Sequence, residues 1–222
     1  MNYSSQTVGN DKTHLERSLK QVQQEVLRMG TLVEQSFRMS HQSLFGRDVQ
    51  AAKKITTIEK SIDKYYRQIE MDCATLMTLQ SPVAKDLRLL SALMQLVRDL
   101  ERIGDYAQDL AEMSTKLIKY EPHQCMEQIK DMSEHAQFML ATSLVALADL
   151  DAKTGKSIKE LDNKVDDAYE ELYNFLAFQE NVQGVIEPIL LMGLIIRHLE
   201  RMADHATNIG QRVAYIVTGQ RN

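Results

Sequence analysis

Moved along itself by 103 positions, the first half of this chain falls on the second: Met29 on Met132, Leu44 on Leu147, Lys53 on Lys156, Ile55 on Ile158, Asp63 on Asp166 and Tyr66 on Tyr169. A shift of 99 brings Leu100-Glu101-Arg102-Ile103-Gly104-Asp105 onto Leu199-Glu200-Arg201-Met202-Ala203-Asp204. A chain that matches itself in this way is built from two fused copies of one structural unit. The fold therefore has to be one that a single unit can form and a second copy can extend.

The apolar period defines that unit. Apolar or small residues recur at Leu89, Leu93, Leu96, Leu100, Ile103, Ala107, Leu110, Ser114 and Leu117 in alternating steps of four and three, which is the seam of a bundled helix. The pattern returns at Ile55, Ile58, Ile62, Tyr65 and Ile69, and again at Leu199, Met202, Ala206, Ile209, Val213 and Ile216. Breaks are expected near Gly46, Pro82, Pro122, Gly155 and the Asn181 to Gly184 segment, leaving three helices in each half. The fold class is all-α, with six helices in two tandem three-helix bundles over residues 13–120 and 123–218, preceded by a polar N-terminal tail, residues 1–12. Nine Gly and three Pro are few for 222 residues, which agrees with long uninterrupted helices.

Charge and patterning exclude several roles. A net charge of −5 argues against general nucleic-acid binding, which rests on basic side chains neutralising phosphates. The longest apolar run, Ile189 to Ile196, is far short of the roughly 20 residues that span a bilayer, so membrane contact is expected only through a partner. The start of the chain has neither a basic nor an apolar leader segment, and a cytoplasmic location is expected. Cys73 and Cys125 lack metal-ligand or CxxC spacing and read as small core residues; Met71, Met77, Met94 and Met192 read as core filling. His41, His135, His198 and His205 have no evident carboxylate or nucleophile partner, and no phosphate-binding glycine loop is present.

The duplication preserves one chemical feature above others. Glu59/Asp63, Glu101/Asp105, Asp162/Asp166 and Glu200/Asp204 each place two acids four residues apart, one above the other on a helix face. Like charges at this spacing cost a few tenths of a kcal/mol each. Asp109 and Asn208 extend the column by one turn on the third helix of each half. Oxygen donors of this kind suit hard or borderline cations: iron, manganese, magnesium or zinc. Glu101, Asp105 and Asp109 are expected on the outward side of the seam, making any such site shallow. The bland alternative is a solvated face, with Arg98 and Arg102 neutralising Glu101, Asp105 and Asp99 in surface ion pairs.

Gln80-Ser-Pro-Val-Ala-Lys-Asp-Leu-Arg88, followed by Asp99-Leu-Glu-Arg-Ile-Gly-Asp105, resembles the signature of the PhoU family of phosphate-signalling proteins; Met29-Gly30 and Leu199-Glu-Arg-Met-Ala-Asp204 match the same family. The second half departs from it, with Val182-Gln-Gly-Val-Ile-Glu-Pro188 in place of a Pro-x-Ala-x-Asp-Leu-Arg run, and Asp109 stands where relatives often carry Asn. The resemblance implies paired bundles with E/DxxxD motifs that bind metal clusters. It further implies a non-enzymatic regulator, a homodimer in the cytoplasm, coupling a phosphate ABC transporter's ATPase subunit to a phosphate-sensing histidine kinase. Two other classes share the helices and acids: a carboxylate-bridged di-iron enzyme, whose Glu-x-x-His motif is absent from this chain, and a metal-free helical scaffold. Pro82 to Arg88, where charged residues open a helix, is a candidate contact region.

Overall fold

The structure is a computed structural model, describing residues 4–180 and 184–220, with side chains from residue 14 onward. Six helices follow one another: α1 (Ser4–Phe45), α2 (Val49–Leu79), α3 (Ala84–Leu117), α4 (Met126–Asp149), α5 (Ala152–Ala177) and α6 (Glu187–Thr218). Among the described residues there is no strand. The first three helices pack on one another, as do the last three, and the bundles meet through α3 on α6 and a smaller contact of α1 on α4. The all-α duplication read from the sequence is the observed architecture. Because α1 begins at Ser4, its backbone runs helically through most of the segment set apart as a polar tail.

The seams lie where the period places them. Leu93, Leu96, Leu100, Ile103, Ala107 and Leu110 of α3 are buried, as are Leu199, Met202, Ala206, Ile209 and Val213 of α6. They join one continuous core that crosses between the bundles. Cys73 and Cys125 are free and buried in it, which pushes their thiols up to about 12 and about 11. Met192 is core, whereas Met71, expected there, is 66% exposed on α2.

The two first turns are made alike. Arg47 and Leu150, equivalent under the repeat, both adopt left-handed backbone, with φ of 53° and 51°. Each is followed by an aspartate that caps the next helix. Asp48 Oδ1 accepts from the Gln50 and Ala51 amides at 2.8 and 3.1 Å, and Asp151 Oδ1 from the Lys153 and Thr154 amides at 2.9 and 3.3 Å. The fourth break therefore falls at Leu150–Asp151 and not at Gly155, which lies inside α5. That glycine serves packing: a Cβ on it would meet the Gly210 carbonyl oxygen of α6 at 2.5 Å. The equivalent positions in the first half are Ala52 and Ala111, which pack with Ile55 in a small cluster of their own. Of the expected break at Asn181 to Gly184, residues 181–183 lie outside the described residues, and Gly184 has φ 88°.

Candidate metal-binding faces

Each half brings the acids of its second helix toward those of its third. In the first half Glu59 and Asp63 come from α2, Glu101, Asp105 and Asp109 from α3. Burial lifts the carboxyls of Glu59, Glu101 and Asp105 above their ordinary range, and neighbouring carboxylates on both helices add to it: Asp63 and Asp105 at Glu59, Asp105 and Asp63 at Glu101, Asp63 and Asp109 at Asp105. The second half repeats this with Asp162 and Asp166 of α5 and Glu200, Asp204 and Asn208 of α6. Asp166 is raised by burial and then by Asp162 and Asp204, Glu200 by burial and then by Asp204 and Asp166. The like-charge crowding thus runs across helices as well as along them.

Cations answer part of it. Arg67 holds Asp63 at 2.9 Å, and Arg102 lies 3.6 Å from Glu101 and 3.5 Å from Asp105. Lys159 holds Asp162 at 2.6 Å, Arg197 holds Glu200 at 2.8 Å and Arg201 holds Asp204 at 2.9 Å. The carboxylates are turned to these partners, and among the described residues no three His, Cys, Asp or Glu side chains converge where they could jointly hold a metal ion.

Depth departs from expectation. Asp162 is 1% exposed, and its Oδ1 is buried with no hydrogen-bond partner among the described residues. Glu101, placed on the outward side by its spacing, has a side chain only 19% exposed because α2 packs over that flank, while Asp109 is 51% exposed. On the second face Asp162 lies deep, whereas Asp166, one turn further along α5, is exposed. The orphaned Asp162 oxygen is by its donor chemistry suited to a hard cation, with the acids of α6 on the helix packed against it.

The seam between the bundles holds polar groups that spacing along single helices did not connect. Asp99 is buried and does not join Arg102; its Oδ1 meets His205 Nδ1 at 2.9 Å, and its Oδ2 accepts from Arg212 Nε at 2.7 Å. Arg212 also donates to Gln95 Oε1 at 2.7 Å. His198 lies 3.8 Å from Asp109, and the Tyr106 ring lies between His198 and His205, at centroid distances of 5.0 and 6.0 Å. Both histidines therefore have carboxylate partners, contrary to the reading from spacing. Adjacency to the seams, Asp99 beside Leu100 on α3 and His205 beside Ala206 on α6, places both near the core without pairing them.

The raised carboxyls give a signed expectation. Below the ordinary carboxyl range both folded and unfolded chains carry these protons; as pH rises the unfolded chain loses them first, so stability falls as pH passes through the raised values. A Glu101→Gln/Glu200→Gln variant should gain stability relative to the natural chain on going from about pH 4 to about pH 7, measured by paired thermal melts without metal. A difference independent of pH, or of opposite sign, would contradict the crowding.

Fold and site define an all-helical protein of two fused three-helix bundles, each carrying an acidic face between its second and third helices. The PhoU domain model matches twice, over residues 26–114 and 129–213, and the chain belongs to the PhoU family. The phosphate-specific transport system accessory protein PhoU homolog of Synechocystis is 61% identical over 218 residues, covering 98% of this chain and 97% of that protein. The crystal structure of the phosphate transport system regulatory protein PhoU from Streptococcus pneumoniae matches with a TM-score of 0.86 at 30% identity, over 94% of this chain and 99% of that one. PhoU from Pseudomonas aeruginosa matches with the same TM-score and identity, over 92% of this chain and 99% of that one.

Proposed function

We propose that this protein is a non-enzymatic, cytoplasmic accessory regulator of phosphate uptake, acting as a homodimer. In this reading it couples the ATPase subunit of a phosphate ABC transporter to a phosphate-sensing histidine kinase and holds the phosphate-starvation response off when phosphate is plentiful. The observation that carries the reading is the whole-length match to proteins named for phosphate transport, 61% identical in one case. The helical framework supports it, because two rigid bundles offer broad faces on which partners dock. Regulation then follows from differential affinity for two partner states, since equal binding shifts neither.

Metal belongs to the same proposal. Glu59, Asp63, Glu101, Asp105 and Asp109 would hold it on the first face, and Asp162, Asp166, Glu200, Asp204 and Asn208 on the second. The cation would supply positive charge where burial and neighbouring carboxylates now penalise ionisation, and would clamp the second helix of each bundle to the third. The orphaned Asp162 oxygen is the feature of this chain that favours metal over a merely solvated face. The adaptor reading is tested by mixing the purified chain with the transporter's ATPase subunit and, separately, with the kinase's cytoplasmic part. Co-elution with both on size exclusion is expected; co-elution with neither, across metal-loaded and metal-free samples, would overturn it.

A further inference from the structure

Cys125, the residue that opens α4, is wholly buried, and two lone-pair donors from other side chains adjoin its sulfur. His123 Nδ1 lies 3.1 Å from Sγ, and Met192 Sδ of α6, 67 residues further along the chain, lies 3.7 Å from it. A thiol has one proton and can answer only one of them. The third donor comes from another helix and is a thioether, so spacing along the chain did not show the cluster. The ring is held in place. Its Nδ1 accepts from the Cys125 amide at 3.4 Å, so in the neutral ring the proton sits on Nε2, which meets the Gln179 side-chain amide at 2.9 Å. Phe175 stands edge-on to the same ring. A histidine whose far nitrogen is engaged while the near one keeps its lone pair is oriented as metal-ligating histidines are. The bond from the Cys125 amide is long, and a metal at Nδ1 would take its place.

Donor type and charge both narrow the ligand. Two sulfurs and an imidazole nitrogen form a soft set, which selects monovalent copper, whereas the acidic faces offer oxygen donors to hard cations. Burial pushes the Cys125 thiol up, to about 11, so a metal has to displace the proton. Replacing that proton with a monovalent ion leaves the buried cluster neutral. A divalent ion would leave a net positive charge among donors that include no second anion. Distances fit as well. Donors about 2.0 to 2.3 Å from a shared ion stand about 3.3 to 4.0 Å apart at near-trigonal angles. The sulfur–sulfur separation of 3.7 Å already falls there, and the His123 ring at 3.1 Å has only to draw back slightly. A route exists too: a partly enclosed cavity of about 280 Å³, where the two bundles meet, has His123, Met126 and Met192 in its wall.

We infer that His123, Cys125 and Met192 form a soft-metal site for monovalent copper, in which the ion takes the place of the thiol proton and the proton leaves to solvent. The inference is independent of the phosphate-signalling reading and of the acidic faces. Its test titrates the full chain, without oxygen, against Cu(I) held by bicinchoninate, and follows transfer of copper to the protein. A single copper per chain is expected, with one proton released and an X-ray absorption spectrum showing two sulfurs and one nitrogen around the metal. Cys125→Ala should abolish the transfer. Met192→Leu, which keeps the core volume, and His123→Ala should each weaken binding at least about tenfold. Cys73→Ala, at the other buried thiol, should leave it unchanged. Circular dichroism confirms that each variant is folded, and Met192→Leu tests the site even where another variant is not. Four outcomes would overturn the inference: no transfer; transfer that survives Cys125→Ala; copper held by Cys125 but indifferent to Met192→Leu or to His123→Ala, which would make it a lone thiol; or zinc competing for the site on equal terms.

Discussion

Replacing Glu101, Asp105, Glu200 and Asp204 together with alanine is expected to abolish stoichiometric metal binding while leaving helicity and metal-free stability intact. The four residues supply an acid pair to each face, and their loss leaves each side with too few oxygens on its third helix to bridge to the second. Their removal costs the fold little. The ion pairs they lose, to Arg102, Arg197 and Arg201, are partly exposed and contribute about 0 to 1 kcal/mol each. Against that stands relief of the crowding that lifts Glu101, Asp105 and Glu200. The readouts are elemental analysis of protein purified with iron, manganese, magnesium or zinc present, and circular dichroism of the same samples. Unchanged metal content would remove the acids from the site.

Leu100→Ala is expected to destabilise the chain by about 2 to 5 kcal/mol, the usual range for emptying a fully packed leucine site. Leu100 is wholly buried at the centre of the α3 seam, in the core that continues from one bundle into the other. Its repeat equivalent Leu199 is equally buried on α6, and Leu199→Ala should fall in the same range. Asp109→Ala, at a half-exposed position held only by a 3.8 Å approach to His198, should cost much less. Urea unfolding of the three variants measures the order, and a reversed order would mean that the helix faces are wrongly assigned.

The helices and their faces were legible in the sequence because both are written in a period. The α3 and α6 seams are the buried positions, and the duplication that aligns Leu100 with Leu199 also aligns Glu101 with Glu200. What lay beyond reach depended on distances between helices. Gly155 looks like a helix breaker along the chain, yet it is where α5 touches α6, with Gly210 facing it where the first half has Ala52 and Ala111. Asp162 and Glu59 hold equivalent positions in the repeat, yet Asp162 is fully buried where Glu59 is only partly so. Asp99 looked like a partner for Arg102 one turn away; the docking of the second bundle gives it His205 and Arg212 instead. No periodicity within one helix encodes the angle at which another arrives.

The adaptor reading is tested most directly by transcript levels of phosphate-responsive genes in a strain lacking this protein and any second copy of its family, grown with plentiful phosphate. Those genes are expected to stay switched on there and to be repressed again when the full-length chain is restored. Normal repression in the deletion strain would contradict the proposal that this protein holds the phosphate-starvation response off.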